Sequence, residues 1–420
     1  MRKNWLSISF AFFAFTLPWQ VKLILCSGEI NGGQNNFLEI ALYGFVLALL
    51  VFVGLAIYQT TVEKKWPKYF SLFNVVLLAF SLSLFVSIFF SSNLLLSLSH
   101  FLYFFCGVAL LFFSRLLKDK INWLLVKKAF LFSCAISAIL GIFQFTIQRV
   151  PEIKYFVSSH QVSQFAGESV LETSSGRLLR AYGSFDHPNI FGGVIVFALL
   201  LATDLLFKTK NKKEWQGLIF LTLLFIWALL VSFSRAAWLA FILAMLVRLV
   251  FNYRHELFKI VMVFVLSLAV ASIFFSSHTD WLLARVSASG RLENVSVQER
   301  LFGMKTAASE FVHYPFKQVG LGDYSNFLSN KFPNLSAWLY QPVHNVWLLL
   351  TVETGLWAAT LFLVIWLLII LKNKKKRAVA ASLVSALFVL SLFDHWLVSL
   401  PFGVIFCFFV LSLSGEETIT

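Results

Sequence analysis

Long apolar runs recur along this chain from its first residues almost to its last, and each is close to the length that a helix needs to cross a hydrocarbon layer. A bilayer core of roughly 30 Å takes about 20 helical residues. Runs of that kind lie near residues 5–25, 38–58, 70–90, 94–113, 124–147, 188–207, 215–232, 235–251, 257–275, 344–371, 378–393 and 396–413. With 59% hydrophobic and only 13% charged residues, the chain has too little polar surface to cover soluble cores. Lipid is the solvent, and the expected fold class is all-α integral membrane with about 12 transmembrane helices. Asp394, His395 and Pro401 interrupt the last two runs, which read equally as one bent element.

A net charge of +14 raises nucleic acid as a partner, but the basic residues are scattered in short loops between the runs, so no nucleic-acid surface is expected. The clusters Lys64, Lys65, Lys68; Lys208, Lys210, Lys212, Lys213; and Lys372, Lys374, Lys375, Lys376, Arg377 all fall on one side when the runs alternate. That side is the cytoplasmic one, and an even number of spans puts both termini there. Cys26, Cys106, Cys134 and Cys407 lie in or beside apolar runs without metal-ligand spacing, so neither a disulfide framework nor a metal site is expected. Arg2 and Lys3 precede an apolar stretch with no small-x-small site after it, which reads as a retained first span.

The runs divide the chain into an N-terminal five-helix membrane part (1–147), a first outer segment (148–187), membrane helices six to nine (188–275), a large outer segment (276–343), membrane helices ten to twelve (344–413) and a cytoplasmic tail (414–420). In the large outer segment Ser296 and Glu299 have the spacing of a capping box, predicting a helix over 296–312. Val297, Leu301, Met304, Ala308 and Phe311 form its apolar stripe, suited to docking on the bilayer surface or on other spans.

Ionisable residues on the outer side are few enough to take singly. Arg235, in Ser232-Phe233-Ser234-Arg235, sits between two runs with almost no loop, so it either finds an anionic partner or snorkels to lipid phosphate. Arg300 borders the apolar stripe of the outer helix and points toward whatever that helix covers or, on the plainer reading, toward solvent. Two converging guanidinium groups would match phosphate oxygens in a way that lysine does not. His344 stands where the outer segment re-enters the membrane, placed to take a proton from a hydroxyl nucleophile or simply to cap and pack. Glu353 and Gly355 follow on the same helix, the acid either paired with an arginine or buried as a structural group. Arg180, His187 and Asn189 crowd the same surface at the end of the first outer segment, with Pro188 placed to begin a helix.

Three blocks in this order, Arg180 to Gly193 (R-A-Y-G-S-F-D-H-P-N-I-F-G-G), Ser232 to Leu239 (S-F-S-R-A-A-W-L) and His344 to Gly355 (H-N, nine residues, then G), resemble the O-antigen ligase and polymerase superfamily of bacterial membrane glycosyltransferases. The resemblance spans about 170–400, with Ala358 standing where ligases carry another small residue. It implies that Arg235 and Arg300 grip the diphosphate of a polyprenyl-linked glycan. His344 would serve the acceptor hydroxyl, with Arg180, His187, Asn189, Asn345, Glu353 and Gly355 supporting the substrates. Diphosphate is already a good leaving group, so no metal and no cofactor is expected. The implied partners are the lipid-linked glycan donor, a glycan, lipid A-core or protein hydroxyl acceptor, and membrane lipid. The implied place is the outer face of a bacterial cytoplasmic membrane. A repeat-unit polymerase of the same superfamily is the alternative. A transporter or flippase is a second one, predicting ionisable residues near the bilayer midplane and repeated halves, whereas the charges here concentrate at the outer interface.

Overall fold

The computed structural model describes residues 4–67, 71–151, 161–162, 168–173, 176–276, 279–286, 291–315, 317–372 and 377–414. Arg2, Lys3, Lys68, Lys374, Lys375, Lys376 and 415–420 lie outside them, as do parts of both outer segments. The helices are α1 (Trp5–Thr16), α2 (Gly44–Val62), α3 (Leu72–Ser87), α4 (Leu94–Leu116), α5 (Trp123–Ile147), α6 (Pro188–Lys208), α7 (Lys212–Val231), α8 (Arg235–Ser276), α9 (Thr279–Val286), α10 (Arg291–His313), α11 (Tyr324–Lys331), α12 (Val346–Lys372), α13 (Arg377–Phe393), α14 (Trp396–Ser399) and α15 (Pro401–Ser414). Among the described residues eight short strands form four two-stranded antiparallel pairs: β1 (Lys22–Cys26) with β4 (Ile40–Tyr43), β2 (Glu29–Ile30) with β3 (Gly33–Gln34), β5 (Arg149–Val150) with β6 (Gln161–Val162), and β7 (Val170–Thr173) with β8 (Gly176–Leu179).

Among the described residues nine helical stretches are long and apolar enough to cross a membrane, α8 supplying two of them on either side of a break at Asn252. The expectation of about 12 spans therefore holds for nine by length. The other three runs form the shorter helices α1, α13 and α15. The run at 5–25 is not one helix. Leu17 is still helical and donates to Phe13 O, but Pro18 has no N–H to continue the ladder, the helix ends, and Lys22–Cys26 extends to pair with Ile40–Tyr43, which also delays α2 to Gly44. The last two runs are separate helices divided at Asp394 and again at Leu400.

The core follows side-chain size. α6 is buried along nearly its whole length, enclosed by α5, α7, α8 and α13. α15, apolar all round, is likewise buried, against α4 and α13. Gly192 and Gly193 let neighbours reach the α6 backbone. A Cβ at Gly192 would come within 2.8 Å of Ser232 Oγ, and one at Gly193 within 2.8 Å of the Trp396 ring. The turn before α8 and the start of α14 are thereby drawn onto the first turns of α6.

The outer helix differs from expectation. α10 begins at Arg291, so Ser296 lies inside the helix and is no cap; the Leu292 N–H is instead taken by the carboxylate of Glu172 on β7, at 3.0 Å. Its packed face is not the apolar stripe. Thr306, Ala307 and Glu310 are buried and Gly303 lies beside Val343, while Val297, Leu301, Met304 and Ala308 are exposed. Small residues allow close approach to the body, and Lys331 at 2.6 Å satisfies the buried Glu310. The larger apolar residues are left outward, where an interfacial helix meets lipid.

Candidate active site

The site is built on the turn between α7 and α8. Phe233 is fully buried with φ of +48°, a left-handed conformation that a bulky residue adopts only when its surroundings hold it there. The turn presents carbonyl groups inward. Ser232 O accepts from Arg180 Nε at 2.9 Å, Phe233 O accepts from Arg285 Nε at 2.6 Å, and the Ala181 N–H donates to Val231 O at 3.0 Å. Arg235 follows directly as the first residue of α8.

Four arginines meet here. Glu293 on α10 is ion-paired with both Arg235 and Arg285, the latter at 2.9 Å. Arg180 is buried, and Arg285 and Arg300 act on it electrostatically. Arg300 lies on the same inward face of α10 as Gly303 and Ala307, and its buried Nε has no hydrogen-bond partner among the described residues. Burial pushes the Arg180 guanidinium well below its ordinary range, and the neighbouring Arg285 pushes it further. Arg285 is lowered to about 10 by burial and by Arg235 and Arg300, against the pull of Glu293. Mutual repulsion of this kind is relieved by a polyanion.

Beside the arginines lies a group of imidazoles. The rings of His344 and His395 are 4.8 Å apart, edge to face, and His344, Asp394 and His395 bring their ligand atoms within 4.8 Å of one another. Asp394 accepts from Asn189 Nδ2 at 3.1 Å and from the His395 N–H at 2.8 Å, and Asn189 Oδ1 accepts from Arg180 at 2.7 Å. A continuous polar chain therefore runs from Arg180 through Asn189 to Asp394. His187 caps α6, accepting the Asn189 N–H on Nδ1, with Nε2 at 3.0 Å from Ser169 Oγ. Burial lowers His187, His344 and His395 alike, leaving neutral imidazoles. Burial alone would raise the Asp394 carboxyl, but the surrounding imidazoles and Arg300 hold it at about 2, so it is ionised.

The His344, Asp394 and His395 donors have a metal-binding composition, but their surroundings do not suit a cation. His395 Nδ1 is engaged with Ser399 Oγ at 2.6 Å, both Asp394 oxygens accept hydrogen bonds, and Arg300 repels a metal ion electrostatically.

The other residues singled out in the sequence make the following local contacts. Asn345 caps α12 through the Leu348 N–H at 2.9 Å and donates to Leu392 O at 3.2 Å, tying this helix to the end of α13. Glu353 is a buried acid and pairs with no arginine; the backbone N–H groups of Gly322, at 3.0 Å, and Tyr324 satisfy it. Gly355 breaks α12 with φ of +83° and ψ of 162°, a region essentially closed to other residues. The break frees the Val352 and Glu353 carbonyls, which accept from Val319 and Gly320 of the strap before α11. Gly355→Val is therefore expected to destabilise the fold by about 1–3 kcal/mol, read as a lower thermal midpoint in detergent; an unchanged midpoint would show that the break carries no such constraint.

Sequence reading did not find Arg285, Glu293, Asp394 or His395. Asp394 and His395 carried a signal, since two ionisable residues between apolar runs call for a functional explanation. Arg285 and Glu293 lie in a polar segment where nothing marks them.

Residues 220–363 match the O-Antigen ligase family model, a stretch that holds Arg235, Arg285, Glu293, Arg300 and His344. The chain therefore carries a stretch, about a third of its length, that is similar to the O-antigen ligase family. No curated protein matches the chain. Around that stretch the chain is mostly helical, with nine stretches among the described residues long and apolar enough to cross a membrane. Asp394 and His395 lie beyond the matched stretch and meet it at the His344 ring, while Arg300 acts on Asp394 electrostatically.

Proposed function

We propose that this chain moves a glycan from a polyprenyl-diphosphate carrier to an acceptor hydroxyl at the outer face of a bacterial cytoplasmic membrane, as a ligase does. The observation that supports it most is the placement of four guanidinium groups, one with an unpaired buried nitrogen, next to a neutral imidazole backed by an ionised carboxylate. The diphosphate is held by Arg300, Arg235 and Arg285, and Arg180 adds charge from behind. The acceptor oxygen attacks the anomeric carbon, and a carbon–oxygen bond forms on one side as the bond to the diphosphate breaks on the other. The bonding electrons leave on the diphosphate, whose charge the arginines stabilise. The hydroxyl proton passes to His344, and Asp394 stabilises the resulting imidazolium. Arg300 lowers the His344 pKa, so diphosphate neutralising Arg300 makes the base stronger once the donor is seated. A repeat-unit polymerase shares this donor half and differs only in the acceptor.

Glu293 is the protein's own counter-anion to Arg235 and Arg285 and exchanges with the diphosphate. Glu293→Gln removes a charge-assisted competitor for Arg235 and Arg285, and polyprenyl diphosphate is expected to bind about tenfold tighter. Titration of the purified protein in detergent measures this, with thermal unfolding to check folding; unchanged or weaker binding by a folded variant refutes the exchange. The transfer reading itself is tested by supplying membranes with a polyprenyl-diphosphate glycan and candidate acceptors and identifying the product. Carrier-linked glycan crossing proteoliposomes without acceptor, and without any product, would favour a flippase instead.

A further inference from the structure

At the end of the helix bundle away from His344, a second site is formed where α3 begins and α4 and α12 end. α12 runs 27 residues from the site side to Lys372, roughly 40 Å of helix. There a cavity of about 180 Å³ is lined by Ser71, Asn74, Phe73, Arg115 and Lys372, with Phe112 and Leu116 closing its apolar side. The Arg115 guanidinium lies 4.4 Å from the centre of the Phe73 ring, and the Lys372 ammonium lies 5.8 Å from the same ring. Two cations therefore share one aromatic wall, and the hydroxyl of Ser71 and the amide of Asn74 stand on the same rim.

The surroundings say what kind of molecule fits. Leu72 and Leu371, each next in sequence to a lining residue, are 63% and 55% exposed and present hydrocarbon just above the polar rim. A ligand seated here meets two positive charges and two neutral polar groups at one end and lipid-facing leucines at the other. That is the polarity of a phospholipid at the depth where helices leave the bilayer. A free anion would use the cations but not the apolar flank. In sequence, Lys374, Lys375, Lys376 and Arg377 follow directly, adding positive charge of the kind that draws anionic headgroups to a membrane surface.

We infer that this cavity binds the phosphate headgroup of an anionic phospholipid, with Arg115 and Lys372 as the charged contacts and the acyl chains lying along α3 and α12. The lipid would then bridge α3 and α4 to the distant α12, at the end of α12 opposite the break at Gly355. The inference does not depend on the proposed glycan transfer, since none of its residues lies in the arginine cluster.

The experiment uses the full chain purified in a neutral detergent and mixed with phosphatidylglycerol or phosphatidylcholine, bound lipid being counted by native mass spectrometry. Wild type is expected to retain one phosphatidylglycerol in preference to phosphatidylcholine. The Arg115→Gln, Lys372→Gln double variant is expected to lose that preference by about 30-fold, with thermal unfolding as a folding control. The charge-keeping variant Arg115→Lys, Lys372→Arg should retain most of it, which separates charge loss from misfolding. Equal retention by wild type and the Gln variant overturns the site. So does equal retention of the two lipids by wild type. Displacement of phosphatidylglycerol by millimolar inorganic phosphate assigns the cavity to a soluble anion and overturns the lipid.

Discussion

Replacing His344 by Ala is expected to slow glycan transfer at least 100-fold while leaving polyprenyl diphosphate bound as tightly as before. General-base assistance typically contributes between about 10² and 10⁴ in rate, and the arginines that hold the diphosphate remain in place in this variant. Asp394→Asn should lose rate to a smaller degree and, in addition, change the pH profile. Burial and Arg300 push the His344 imidazole below its ordinary range, and Asp394 pulls it back up. The neutral base is therefore available at pH 7, and activity should fall only as pH drops through the lowered value. Without the Asp394 charge the imidazole is lowered further, so the acid limb moves to lower pH and the base that remains is weaker. Steady-state transfer measured between pH 4 and 8 for wild type and Asp394→Asn distinguishes this from a purely structural role, which would lower the plateau without moving the limb. A His344→Ala enzyme transferring at the wild-type rate would remove the base from the mechanism.

Much of the membrane part was legible because apolar length is a strong signal. A helix in lipid must satisfy its own backbone, so a run of about 20 apolar residues has few other solutions. The same signal failed at 5–25, where Pro18 and the pairing of Lys22–Cys26 with Ile40–Tyr43 overrode hydropathy. At α10 it left two dockings open, the bilayer surface and other spans. In a soluble protein the stripe of Val297, Leu301 and Met304 would face the core, whereas here the outward side can be apolar and close packing selects Gly303 and Ala307 for the inward face. Arg300 follows that small-residue face, so the reading that it points toward what the helix covers agrees with its buried Nε even though the stripe does not.

The convergence of side chains was less legible, since it depends on contacts between distant segments. Arg180 and Asn189 are adjacent in sequence to the start of α6, yet their partners are a carbonyl of the α7–α8 turn and a carboxylate after α13. Asp394 is separated from Asn189 by 205 positions, and no local spacing reports such a pair. Glu353 shows the reverse case. Its depth in a membrane helix suggested function, but the amides of Gly322 and Tyr324 account for it locally.

Arg300→Ala should be the most damaging change among the arginines, and the reason lies in what each one already holds. Arg235 and Arg285 share Glu293, and Arg180 is committed to Ser232 O and Asn189. The Nε of Arg300 is buried without a partner among the described residues, and its charge reaches Arg180, Arg285 and the His344–Asp394 pair together. It is the guanidinium that a bound diphosphate would complete, so its loss removes stabilisation that grows as the leaving group gains charge. Removing one such donor typically costs about 10² to 10³ in rate. Arg300→Lys keeps the charge but not the planar fork and should recover only part of the loss. Because Arg300 also lowers the His344 imidazole, Arg300→Ala should move the acid limb of residual activity upward, opposite to Asp394→Asn. Measuring both variants against the same donor sets the two shifts side by side. Shifts in the same direction, or full transfer by Arg300→Ala, would separate this arginine from the histidine and dissolve the site as described.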